Sequence, residues 1–186
     1  MKYFFTRKLM LMKESAGFAV LPGGFGTQDE GFELLTLLQT GKAAPVPVVM
    51  LDVSGGTYWQ TWDRFVRDEF ATRGLIDPDD HHLYLITDDV DAASQEIRGF
   101  YRNFHSIRYV GDTLVIRLQH APSPEQLQRL NDEFSDICAR GAIEVTDPLP
   151  AEVSTDDRLD LARIKLVFDK QHYGRLRVLI DTLNEE

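Results

Sequence analysis

The sequence holds a single cysteine, Cys138, among its 186 residues. One thiol excludes an internal disulfide framework and a cysteine-rich zinc site. Long apolar runs are missing as well: no stretch approaches the ~20 residues that span a bilayer. The opening MKYFFTRKLMLMK mixes basic and apolar residues as a signal peptide does, but Arg7 and Lys8 interrupt its apolar part. Lys13 and Glu14 then stand where a small-residue cleavage site belongs. These features predict a cytoplasmic chain that does not associate with membranes. Clustered positive charge is also lacking: twenty Lys+Arg face thirty Asp+Glu, a formal charge of -10, with no Lys/Arg run. Such a surface repels nucleic acid and anionic lipid. What is present is a globular composition, 43% hydrophobic and 27% charged, in a chain long enough for one domain or two small ones.

The first hundred residues alternate helical and strand patterns, which predicts an α/β fold with a mainly parallel sheet. Residues 6–15 read as a helix and Gly17 to Leu21 as a short strand covered on both faces. After a glycine-rich break, Thr27 is placed as an N-cap, with Glu30 completing a capping-box spacing, and Gly41 as the residue that stops the helix. Residues 45–51 read as a second buried strand and 58–73 as an aromatic-rich helix. Trp59, Trp62, Phe65 and Phe70 fall on roughly one face of that helix, the pattern of a core stripe. A strand at 83–86 and a helix at 89–102 follow.

Beyond residue 103 the pattern changes to an antiparallel ββαββα order. Ile107 to Val110 and Thr113 to Leu118 flank Gly111-Asp112 as a hairpin. Residues 123–140 read as an amphipathic helix with Ser123 as cap and Pro124 at N1, carrying Cys138 as a small core residue. Strand 142–146, a proline-rich acidic loop at 147–157, strand 161–169 and helix 171–184 complete the order. Two domains are expected, 1–102 and 103–186. Asp156, Asp157 and Asp160 read as a solvated cap.

The chemistry concentrates in Pro22-Gly23-Gly24-Phe25-Gly26-Thr27-Gln28-Asp29-Glu30. Glycines directly after a buried strand and before a helix let the backbone turn sharply and let a ligand approach unshielded main-chain atoms. The N–H groups of the helix's first turn then face an anion. The spacing is neither a dinucleotide fingerprint nor a P-loop, since no Gly-Lys-Ser/Thr closes it. Two readings stay open on spacing alone, a phosphate site and a plain strand-to-helix turn. Glu30 likewise reads either as a cap or as a functional carboxylate.

PGGFGTQDE resembles the PGGxGTxxE signature of the Lonely Guy family of nucleotide-binding proteins, which were long labelled possible lysine decarboxylases. Tyr3-Phe4-Phe5-Thr6-Arg7-Lys8 is similar to the family's upstream arginine-lysine segment, and Leu34 to Lys42 is similar to longer bacterial members. The resemblance covers about residues 1–100 and implies the later part of a Rossmann-like, three-layer domain. Residues 103–186 resemble a C-terminal extension of some bacterial members.

The resemblance implies a phosphoribohydrolase: water cleaves the N-glycosidic bond of a nucleoside 5′-monophosphate such as AMP or a cytokinin nucleotide, giving free base and ribose 5-phosphate, with no cofactor. It places Arg7 and Glu30 at the two catalytic positions, Lys8 in support, and Gly23, Gly24, Gly26 and Thr27 in the phosphate loop. A carboxylate suits the positive charge that builds on the ribose ring. Arg7 stays protonated and suits anionic groups or the departing base. Pyridoxal chemistry requires a Schiff-base lysine with partners for the cofactor ring, and nothing around Lys8, Lys13 or Lys42 supplies them. In the family the signature lies mid-sheet, whereas here it begins at residue 22. That position predicts a truncated or degenerate member, whose half sheet pairs with a second copy as a homodimer or acts as a non-catalytic nucleotide binder.

His81 and His82, beside Asp77, Asp79 and Asp80, read as a polar turn rather than a metal site, for want of a helical i, i+4 pair. No serine or cysteine stands in an elbow context that would recruit His105, His120 or His172 as a triad base.

Overall fold

The structure, a computed structural model, describes residues 4–185, without the side chains of residues 4–7 and of Leu9. It divides into two compact units, one ending at Gly99 and the other beginning at Phe100.

The first unit is mixed α/β around a parallel three-stranded sheet. Helix α1 (Phe4–Glu14) leads into β1 (Phe18–Val20), α2 (Phe25–Gln39) and β2 (Val48–Leu51). Helix α3 (Tyr58–Phe65) runs into a π-helical turn over Val66–Ala71, and a 3-10 turn over Pro78–Leu83 precedes β3 (Leu85–Thr87) and α4 (Val90–Gly99). The order is β1-β2-β3, with Ala19 opposite Val49 and Val49 opposite Leu85. Because both neighbours run parallel to β2, the loops after β1 and β2 emerge at the same edge of the sheet, where ligands of open α/β sheets bind. Val48, Val49 and Met50 are fully buried, as a central strand covered on both faces requires. Leu34 and Leu38 of α2 and Trp59 of α3 pack with Val48, Met50 and Leu83 in one core.

The aromatic stripe divides here. Trp59 is buried, but the wider π-helical turn leaves Phe65 half exposed, in edge contact with Phe70 at 5.1 Å. The expected cap of α2 also differs. The helix starts at Phe25, and the Gly24 carbonyl accepts from the Thr27 and Gln28 N–H groups, so Gly24 is the N-cap and no side chain caps. Thr27 lies inside the first turn, and Glu30 takes no part in a capping box.

The second unit follows the expected ββαββα order, with one short helix added in the loop between its last two strands. Strands β4 (Phe104–Val110) and β5 (Thr113–Leu118) precede α5 (Pro124–Phe134) and β6 (Cys138–Val145), and the short α6 (Pro150–Val153) precedes β7 (Ala162–Phe168) and α7 (Tyr173–Asn184). The sheet is antiparallel in the order β4-β5-β7-β6. Leu114, Ile116 and Leu118 of β5 and Ile164, Leu166 and Phe168 of β7 share a core with α5 and α7. Ser123 caps α5 in a full capping box with Gln126, and Pro124 is at N1.

Helix α5 stops at Phe134, and Cys138 begins β6 instead of continuing a helix to residue 140. The Asn131 side chain holds the turn: it accepts from the Ile143 N–H at 2.8 Å and donates to the Ile143 carbonyl at 2.9 Å, clasping helix to strand. Cys138 is half-buried, and burial raises its thiol pKa. In the acidic loop Asp156 and Asp160 are exposed, as a solvated cap requires, but Asp157 is not. Asp157 accepts from Arg108 at 2.6 Å and from Arg117 at 2.7 Å, beside fully buried Glu152, which accepts from Arg117 at 2.7 Å and 3.0 Å.

Candidate functional site

The loop Leu21 to Gly24 follows β1 and delivers the chain into α2. Gly23 has no room for a side chain: a Cβ there would overlap the Thr27 hydroxyl and lie 2.9 Å from Thr27 Cβ. At Gly24 and Gly26 a Cβ would meet no protein atom within 4 Å, so the space around both is open. Thr27 and Gln28 donate to the Gly24 carbonyl, and helix geometry leaves the N–H groups ahead of them, at Phe25 and Gly26, without intrahelical acceptors. Gly24, Phe25 and Gly26 are exposed, and the Phe25 ring is 96% exposed at the mouth of the loop.

Helix α1 brings Lys8 to α2. Its side chain is only 11% exposed, and the ammonium donates to Asp29 at 2.5 Å and Glu33 at 2.7 Å and lies 3.9 Å from Glu30 Oε1. The Asp29 and Glu33 hydrogen bonds, opposed by partial burial, raise the lysine pKa well above its ordinary value, so Lys8 carries its charge at every working pH. Glu30 lies one helical turn inside α2. Its Oε2 is buried and accepts no hydrogen bond among the described residues. A buried carboxylate oxygen without a donor is costly, and capping does not explain it, since Glu30 is the sixth residue of α2 and makes no cap hydrogen bond. Arg7 falls on α1 one position before Lys8, and its side chain lies outside the described residues. The structure thus brings together Lys8, Glu30, Gly23 and Thr27 around the start of α2, with Gly24 and Gly26 at its open side.

Three further residues complete this edge. Tyr58 Oη donates to the Gly23 carbonyl at 2.5 Å and accepts from Gln28 Nε2 at 2.6 Å. Asp52, buried at the carboxyl end of β2, accepts from the Val53 N–H at 2.8 Å and from the Tyr58 and Trp59 N–H groups at 2.8 Å and 3.3 Å. It therefore holds the start of α3. Gln28 lies within the glycine-rich motif, whereas Asp52 and Tyr58 fall outside every motif of the sequence. The available signal was an acid directly after the buried run Val48 to Leu51, followed by a second glycine pair, Gly55-Gly56.

His81 and His82 stack on each other at 3.9 Å, and Asp77 and Asp80 are consumed in capping the 3-10 turn. Among the described residues no three His, Cys, Asp or Glu side chains gather as metal ligands, and no helix is long and apolar enough to cross a membrane.

A family model described as possible lysine decarboxylase matches residues 1–97, more than half of the chain. The chain belongs to this family, the Lonely Guy family. Its similar members include a probable cytokinin riboside 5′-monophosphate phosphoribohydrolase of Oryza sativa subsp. japonica, 32% identical over 94 residues, which is 50% of this chain and 40% of that protein. A cytokinin riboside 5′-monophosphate phosphoribohydrolase of Arabidopsis thaliana is 36% identical over 79 residues, 42% of this chain and 35% of its own length. A further probable one from Arabidopsis thaliana is 36% identical over the same length, 37% of its own. The chain therefore spans 40% or less of these Lonely Guy relatives. At the level of the family these are phosphoribohydrolases, and the label of possible decarboxylase finds no Schiff-base site at Lys8, whose charge is committed to Asp29 and Glu33.

Proposed function

We propose that residues 1–102 form the nucleotide-binding domain of a nucleoside 5′-monophosphate phosphoribohydrolase, with residues 103–186 as a separate α+β module. The substrate is AMP or a cytokinin-type nucleotide, and the products are the free base and ribose 5-phosphate. The observation that carries this reading is the open glycine loop at the carboxyl end of β1, with the donor-less Oε2 of Glu30 one turn further in. The backbone N–H groups of Gly24, Phe25 and Gly26, at the positive end of α2, receive the phosphate. Gly23, Gly24 and Gly26 let it approach, and Thr27 anchors the loop from below. As the N-glycosidic bond lengthens, its electrons pass to the base and positive charge grows on the ribose ring. Glu30 faces that charge and orients the attacking water. Arg7 holds anionic groups or the departing base, and Lys8 keeps the carboxylates of α2 in place. No cofactor takes part, and the reaction takes place in the cytoplasm.

Incubation with AMP tests the reading: adenine release by the wild type, lost in Glu30→Ala, supports it. A second reading, a nucleotide-phosphate binder without catalysis, is favoured by the pairing of Lys8 with Asp29 and Glu33, which turns its charge away from an incoming phosphate. AMP binding with no adenine release supports that reading, and no binding at all overturns both. We further propose a homodimer through the first unit, where β1 and β3 are the sheet's edges and Leu21, Phe25 and Val53 are exposed. Light scattering that reads the mass of one chain at micromolar concentration contradicts the dimer.

A further inference from the structure

We propose that Tyr58 is the positioning residue of the glycine loop, setting the Gly23 peptide from the neighbouring strand's side; the inference rests on the phosphate-loop reading above. The loop has two supports of different kinds. From below, Thr27 packs against the Cα of Gly23 so closely that no Cβ fits. From the side, the Tyr58 phenol donates to the Gly23 carbonyl at 2.5 Å and receives the Gln28 amide at 2.6 Å. One hydroxyl thus fastens the residue before the N-cap and the first turn of α2 to each other.

Tyr58 is itself placed with little freedom. Its backbone N–H donates to Asp52 Oδ2 at 2.8 Å, and its ring meets the buried Trp59 edge-on at 4.8 Å. Asp52 is pinned in turn, because a Cβ at Gly56 would lie 2.4 Å or less from its carboxylate. A chain of contacts therefore runs from the end of β2, through Asp52 and the first turn of α3, to the loop at the end of β1. A carbonyl held by a donor fixes its peptide plane, and the same plane carries the N–H of Gly24. An anion site made of main-chain N–H groups works only when their orientation is fixed before the ligand arrives. Tyr58 supplies that fixing without touching substrate.

The test uses the full chain with Tyr58→Phe, which keeps the ring, its contact with Trp59 and the bond to Asp52 while removing only the hydroxyl. The inference expects KM for AMP to rise about fivefold, the worth of one hydrogen bond, with kcat changed less than twofold and the cooperative melting transition kept. Amide exchange at Thr27 and Gln28, whose N–H groups bond to the Gly24 carbonyl at the loop's end, should quicken by a similar factor. Tyr84→Phe removes a phenol bonded instead to Asp63 and should leave KM and loop exchange at wild-type values. Wild-type KM and wild-type loop exchange in Tyr58→Phe overturn the inference. Should the wild-type chain neither bind nor hydrolyse AMP, the proposed function fails separately. The exchange comparison then decides alone: faster exchange upholds Tyr58 as the loop's support, and unchanged exchange refutes it.

Discussion

Replacing Glu152 with alanine removes the one carboxylate that lies fully buried among the described residues of the second unit. Its Oε1 accepts from Arg117 Nε at 3.0 Å and Nη2 at 2.7 Å, its Oε2 accepts from the Leu149 N–H at 3.1 Å, and Arg163 Nη1 stands 4.0 Å away. Arg117 and Arg163 are 5% and 1% exposed, so the variant leaves two guanidiniums in the interior, with Asp157 beside Arg117 and the Arg158 carbonyl beside Arg163 as their remaining partners. Breaking a buried pair from one side costs about 3–5 kcal/mol. Against the ~5–15 kcal/mol of a typical domain, that is a large share of the unit's stability. Native-state amide exchange at Val115, Ile116, Ile164 and Lys165, on paired strands β5 and β7, reads it directly: protection should fall by more than about a hundredfold. Glu152→Gln keeps an acceptor for the Leu149 N–H and should lose less.

Acid should act on the same cluster. Burial pushes the Glu152 carboxyl up, but the Arg117 and Leu149 hydrogen bonds and the Arg163 charge outweigh it and hold the group below its usual range. Arg117's hydrogen bond, against some desolvation and with help from Arg108, holds Asp157 low as well. Both folded values lie under the unfolded ones, so the stabilisation is complete above the ordinary carboxylate range and drains as pH falls below about 4. Glu152→Ala should show a flatter loss over that window. A drop in protection of under about 1 kcal/mol in Glu152→Ala, the scale of an exposed ion pair, refutes the reasoning that this carboxylate balances two buried guanidiniums.

Two further substitutions test local geometry. Gly23→Ala forces a Cβ to 2.9 Å from Thr27 Cβ, which should cost about 1–3 kcal/mol and weaken AMP binding in calorimetry, whereas Gly24→Ala, with open space around it, should lose binding at a cost of about 1 kcal/mol or less, the difference between glycine and alanine at an N-cap; equal binding by all three proteins contradicts the loop assignment. Ser123→Ala deletes the oxygen that accepts from the Gln126 N–H at 3.2 Å and should cost ~1 kcal/mol, read as faster exchange in the first turn of α5.

Features carried by neighbours in the chain were legible before the structure. The turn from β1 into α2 is written in Pro22 to Gly26, the cap of α5 in Ser123-Pro124, and the hairpin in Gly111-Asp112 between two apolar runs. Features that depend on distant partners were not. The α5 pattern runs on to residue 140, but the Asn131 clasp on Ile143 ends the helix early. Thr27 has the right type for a cap, yet the Gly24 carbonyl receives the first N–H groups and Thr27 packs on Gly23. Asp157 looked solvated because Arg108 and Arg117 approach it from strands about forty to fifty positions away in sequence. Tyr58 and Gln28 lie 30 residues apart, and only the parallel pairing of β1 with β2 brings them to one loop.

The most direct test of the account is the fate of AMP in the presence of this chain and of Glu30→Ala, followed by separating free adenine and ribose 5-phosphate. The account predicts equal amounts of both products from the wild type, and a rate lower by about a hundredfold or more in Glu30→Ala. Adenine released as fast by Glu30→Ala as by the wild type contradicts it.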